Sequence, residues 1–195
     1  MNTGEVFIRH FVIHWVIPIM LRSKKEMKTA VAEATAQIVT FQVGQEEFGL
    51  DIEVITEALR PLKITPLPHM PRFIEGVINL RGAIIPVVDL RKRFGLANIQ
   101  NDPRKMRMII TRGALHGGSF AEQDLLGLVV DAVREVLHVP VREIGPAPEA
   151  ARSGQAEFIA GVAKVADRLV ILLDIGRVLS GEERTALVEA GDVHS

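Results

Sequence analysis

The sequence predicts a mainly all-β protein: two small barrel subdomains packed around a shared hydrophobic core, with a helix at the C-terminus. Three observations carry this. Short apolar or alternating runs recur at the spacing of small barrels and sandwiches. The chain matches itself in two places. Helical periodicity is convincing only near the end, where Ser180 is placed to cap a segment from Glu182 to about Ala190.

The strands follow in order. Gln37 to Val43 alternates, Gly44 to Glu47 turns the chain, and Phe48-Gly49-Leu50 begins the return. Val77 to Leu80, Ala83 to Val88, Met106 to Thr111, Leu126 to Val130, Val133 to Val139, Ile159 to Val165 and Leu169 to Leu173 complete the set. Val141 to Gln155, rich in Pro, Gly and Ala, reads as a loop.

Self-comparison is more telling than propensity. Phe73 to Phe94 (FIEGVINLRGAIIPVVDLRKRF) and Phe158 to Leu179 (FIAGVAKVADRLVILLDIGRVL) align without a gap at an offset of 85. Upstream, Gly49 to Leu59 matches Gly127 to Leu137 at an offset of 78, so the later copy carries seven additional residues between its motifs. Units of about 60 residues bury little core alone, so docking across one shared apolar face is favoured.

Composition narrows the function. With 23 basic and 24 acidic side chains the net charge is −1, which lacks the phosphate attraction that nucleic-acid binding uses. Eight Phe, one Trp and no Tyr give few stacking platforms for bases. The absence of cysteine excludes disulfides, thiolate zinc sites and cysteine nucleophiles, and fits a reducing compartment.

The N-terminal residues 1–35 stand apart. Val6 to Leu21 is broken by Arg9, His10, His14 and Pro18, and its uncharged part is far shorter than the roughly 20 residues of a membrane span. The expectation is an extension from a misassigned start, with Met27 the working initiator and no direct membrane insertion. Residues 36–185 form the domain, about 36–96 and about 104–180 being its two barrels, and 186–195 a tail.

No residue set promises catalysis, a metal or a cofactor. Asp89 and Asp174 end apolar strands and open possible helical turns, where a carboxylate acts as an N-cap; a hydrolase would need both in one cleft. His69, His116 and His138 lack metal-ligand spacing, and Gly113 to Gly118 lacks the ending of a phosphate loop. Arg91-Lys92-Arg93 is the sole hint of a basic face. Arg81, before a Gly suited to positive φ, is either a docking cation or an ordinary surface arginine. Glu57 and its repeat mate Glu135 read equally as structural in each barrel or as matched docking edges.

The run FQVGQEEFGLDIEVITEAL, then FIEGVINLRGAIIPVVDLRKRFG, then GLVVDAVREVL closely resembles the CheW family of chemotaxis coupling proteins, from about Gln37 to the C-terminal helix. The resemblance implies five-stranded barrels and a cytoplasmic, non-catalytic adaptor at membrane-associated receptor arrays. Its implied partners are the cytoplasmic tip of chemoreceptors and the regulatory domain of the histidine kinase CheA. Ile55, Glu57, Gly76, Asn79, Arg81, Val133 and Val136 occupy the family's docking positions. An adaptor of another chemosensory system, controlling pili or a second messenger, is the alternative. The chain departs from the family at Ala58 to Pro61, in a long Arg112 to Asp124 loop, and in its N-terminal extension.

Overall fold

The apolar runs are explained by burial on both faces. The computed structural model describes residues 34–96, 102–114, 124–149 and 157–192, which form eleven strands, two α-helices and three single 3-10 turns. The strands are β1 (Thr35–Val43), β2 (Glu46–Asp51), β3 (Ile55–Leu59), β4 (Ile74–Leu80), β5 (Ala83–Asp89), β6 (Arg107–Arg112), β7 (Leu125–Val130), β8 (Ala132–Pro140), β9 (Ile144–Pro146), β10 (Ile159–Val165) and β11 (Arg168–Leu173). The helices are α1 (Leu90–Arg93) and α2 (Gly181–Asp192). Residues 1–33 of the extension, 115–123 of the long loop with His116, and 193–195 of the tail lie outside the described residues. None of the described helices is long and apolar enough to cross a membrane.

Two strands depart from the sequence reading. β3 carries only five residues, and β9 lies inside the stretch read as loop, where Gly145 pairs with Val162. Both are outermost strands, paired on one side only, so composition marks them weakly.

The strands form two sheets, ordered β8-β1-β2-β11-β10-β9 and β3-β6-β7-β5-β4. Repeat equivalence makes β2 the mate of β7, β3 of β8, β4 of β10 and β5 of β11. With β1 matched to β6, the second order maps onto the first strand by strand. The correspondence reaches single residues: Gly49 pairs with Leu172 in the parallel β2/β11 contact, and its mate Gly127 pairs with Val87 in β7/β5.

One consequence departs from contiguous barrels at 36–96 and 104–180. Hairpin β1-β2 completes the sheet of the later half, and β6-β7 completes that of the earlier half. The halves have exchanged hairpins, so neither sheet is made of one continuous stretch. Nor does either close through backbone bonds among the described strands; each is a curled sheet with two outer strands.

Burial confirms the shared core. A central cluster draws Phe41, Phe48 and Leu50 from one sheet, Ile74, Val88 and Leu128 from the other, and Leu187 from α2. Each sheet also folds around its own smaller cluster, centred on Ile38 and Leu172 in one and on Ile78 and Met108 in the other. Strands β5 and β6 therefore send alternate residues into different cores: Val87 and Val88, or Met108 and Ile109.

Rings cross the shared core in series. Phe48 lies 4.9 Å from Phe94, and Phe94 lies 4.6 Å from Phe158. Arg93 stands over Phe73 at 4.7 Å and Phe158 at 5.9 Å, which are repeat mates, and donates to the carbonyl of its own mate Val178 at 2.7 Å. Helix α2 begins with a capping box: Ser180 Oγ accepts from Glu183 N at 3.2 Å, and Glu183 Oε2 accepts from Ser180 N at 2.7 Å.

Candidate docking site

The β4-β5 hairpin turns in two residues, Arg81 at φ 54° and Gly82 at φ 92°, with Leu80 and Ala83 paired across its base. Positive φ at both positions suits the twist of the flanking strands. Asn79 Oδ1 accepts from Gly82 N at 2.9 Å and secures the tip. From there Arg81 Nη2 donates to Glu57 Oε2 at 3.0 Å, with the arginine side chain 77% exposed and the glutamate 25%.

Glu57 sits on β3, at the far end of the sheet order from β4. The ion pair thus spans a gap that no backbone bond crosses. A bulge at Thr56 shifts the β3/β6 register between Ile55 and Glu57, and bulges re-aim side chains next to functional surfaces. Ile55 is half-buried against the shared core, while Ile84 beside the turn is 49% exposed.

Gly76 contributes through backbone. It has φ +136°, and a Cβ there would lie 2.0 Å from the Thr65 carbonyl oxygen. The bridge between Thr65 and Val77, with hydrogen bonds of 2.8 and 2.9 Å, requires that approach.

The later half builds a related corner. Its hairpin tip holds Ala166 at φ 52° where the first holds Arg81. Two residues on, Arg168 donates to Glu135 at 2.8 Å and lies 3.3 Å from Glu47. The hydrogen bond donated to Glu135, then the charge of Glu47, raise the Arg168 pKa further above its ordinary value. A raised cation pKa stabilises the fold below the unfolded value and is lost only as pH rises through the folded one, so Arg168 adds no pH dependence in the neutral range. Val136 is 45% and Leu169 64% exposed at this corner. Val133 is half-buried opposite Phe41, and Val136 pairs with Val39.

The two aspartates and the basic triplet all take structural roles. Asp89 Oδ1 accepts from the backbone N–H of Arg91 and Lys92 at 2.8 and 3.1 Å, and Asp174 Oδ1 accepts from Gly176 at 3.0 Å. Both are caps, as their position implies. In the basic triplet, Arg91 pairs with Asp131, Lys92 with Glu75, and Arg93 is held by Phe73 and Val178.

Of the sequence-read positions, Glu57, Asn79 and Arg81 converge at one corner, Ile55 lies on the same outer strand, and Gly76 supports it from below. Val133 and Val136 belong to β8 in the other sheet. Sequence reasoning missed Arg168, Glu47, Ile84 and Leu169. Ile84 and Leu169 are repeat mates at the offset of 85, which was the available signal.

Mainly β architecture, with exposed apolar side chains and ion pairs at two corners, has the features of a protein-contact surface. The model of the family described as "CheW-like domain" matches residues 37–183. The chain belongs to this family, the CheW-type adaptors of chemotaxis signal transduction. The chemotaxis protein CheW of Klebsiella aerogenes is 35% identical over 153 residues, covering 78% of this chain and 86% of that protein. That of Rhizobium meliloti is 34% identical over 150 residues, covering 77% and 91%. Among solved structures, the scaffolding protein TtCheW from Thermoanaerobacter tengcongensis is similar with a TM-score of 0.67 and 36% identity, covering 77% of this chain and 97% of that one.

Proposed function

We propose that this chain couples chemoreceptors to the histidine kinase CheA at receptor arrays, without catalysing a reaction. It binds the cytoplasmic tip of the receptor and the regulatory domain of the kinase. Ile55, Glu57, Arg81, Val133 and Val136 make the contacts, while Gly76 and Asn79 hold the backbone that presents them.

The supporting observation is the pair of hairpin tips. Ala166 adopts φ 52° where Arg81 adopts φ 54°, so the turn itself does not need a guanidinium. A long cation kept 77% exposed at such a tip is accounted for by a partner. Partly exposed apolar residues beside one charge pair give an interface both area and orientation.

The test is binding of full-length Glu57→Lys and Arg81→His to purified kinase regulatory domain and to a receptor cytoplasmic fragment, by titration calorimetry. Both variants keep the wild-type melting profile, and each loses at least tenfold in affinity for one partner. Wild-type affinity for both partners in folded variants overturns the assignment.

A further inference from the structure

A second polar feature adjoins the later corner, where Gln42 stands across from Glu47 in the β1/β2 register. Where β1 and β8 of one sheet meet the start of β6 in the other, a cleft of about 390 Å³ opens, lined by Gln42, Lys105, Arg107, Asp131, Val133 and Arg134 among others.

Its charges are unbalanced. The Asp131 carboxylate is fully engaged, one oxygen by Arg91 and the other by Gly44 N at 2.6 Å. Asp102, also at the rim, accepts from Arg104 N at 3.0 Å and faces Arg104 Nε at 3.6 Å. Neither acid serves the cations. Arg107 donates to the backbone oxygens of Arg104 and Met106, each at 2.8 Å, and Arg134 donates to the side-chain amide of Gln42. Among the described residues Lys105 has no side-chain partner. Residues 97–101, the neighbouring stretch of chain, contain no charge.

Among the described residues, three cations without a paired carboxylate thus line one concavity, beside two carboxylates engaged elsewhere, in a chain whose net charge is −1. The arrangement is also single. The repeat mate of Arg134 is Thr56, and with β1 matched to β6 the counterparts of Lys105 and Arg107 are Thr35 and Gln37. The corners are duplicated; this cleft is not.

We propose that the cleft receives a carboxylate side chain from an acidic segment of the protein partner that seats on Val133. The stem of an inserted Glu would lie over Val133 and Ala132, and its oxygens would meet Arg134 and Lys105, whose donors outnumber their present acceptors. The proposal rests on the docking reading above and names the chemistry of the partner.

Full-length Lys105→Glu, Arg134→Glu and Arg134→Lys, titrated with the receptor cytoplasmic fragment and with the kinase regulatory domain over a series of NaCl concentrations, test it. For one partner, wild-type affinity falls with salt, each charge reversal costs about tenfold, and Arg134→Lys retains most binding. Arg134 and Lys105 are exposed, so unchanged melting curves accompany these losses. Reversals that bind both partners as the wild type does, while Glu57→Lys still fails to bind one, overturn the cleft and leave the adaptor. A wild type that binds neither fragment removes the adaptor reading itself. Thermal protection by inorganic phosphate that Arg134→Glu abolishes, with partner binding unchanged, makes this a small-anion site and overturns the proposal.

Discussion

The two halves of the chain share a backbone and differ in charge. Both have a bulged outer strand bearing a glutamate, a two-residue hairpin tip whose first residue has positive φ, and a glycine at which the neighbouring segment comes close. In the first half the arginine sits on the tip and meets one glutamate. In the second it sits two residues along, at the strand, and holds two. The hydrogen-bond frame therefore tolerates either arrangement. What distinguishes the corners is which atoms they offer to a partner.

Breaking the equivalence most severely is Asp131→Ala. Asp131 ties Arg91 and the Gly44 turn together, with Asp131 and Arg91 side chains only 11% and 12% exposed. Its removal deprives the largely buried Arg91 of this carboxylate and Gly44 N of its acceptor, and costs about 3 kcal/mol by urea denaturation. The same repeat position in the first half is Glu53, which is exposed; Glu53→Ala stays within about 0.5 kcal/mol. Similar losses for both would show that the frame is symmetric in energy as well as in shape.

The glycines follow. Gly76→Ala combines strain at φ +136° with a Cβ placed 2.0 Å from Thr65 O, and destabilises by about 2–5 kcal/mol. At Gly161 the same Cβ lies 2.5 Å from Gly145 O without the positive φ, so Gly161→Ala costs less by thermal denaturation. A reversed order would refute the backbone role given to Gly76.

Smallest in stability and sharpest in function is the corner pair. Arg81→Ala changes stability by no more than about 1 kcal/mol, since an exposed ion pair contributes little, yet it weakens partner binding. The exchange Glu57→Arg/Arg81→Glu restores the internal pair and its melting temperature without restoring affinity. Recovery of binding in that double variant would mean that the pair acts only by closing the sheet.

Much of the fold is legible because the repeat is. Apolar runs such as Leu126 to Val130 announce strands buried on both faces, and two equal motifs announce two equal units. A repeat reveals which strands are alike, but it leaves open which strands pair. The exchanged hairpins follow from register, and register is set by contacts between distant residues. Asp89 and Asp174 were readable as caps since capping is local. Arg81 stood out because its mate is Ala166. Arg168, whose mate is Ala83, carries no sequence signal of its role, because only the folded sheet brings Glu47 and Glu135 to it. The cleft needed three segments at once, the β1 end, the 102–105 turn and the start of β8, and only the folded chain assembles them.

The hairpin exchange also dictates an order of events during synthesis. β1 must find β8, with Thr35 opposite Pro140, and β2 must find β11, with Phe48 beside Ile171. The first hairpin made therefore emerges with both its edges bare and waits until the last strand, β11, is available. Such long-range pairing folds slowly and exposes strand edges meanwhile. A nascent chain stalled before β11 presents an unpaired β2 to the cell, so truncation late in the gene endangers the earliest strands it encodes.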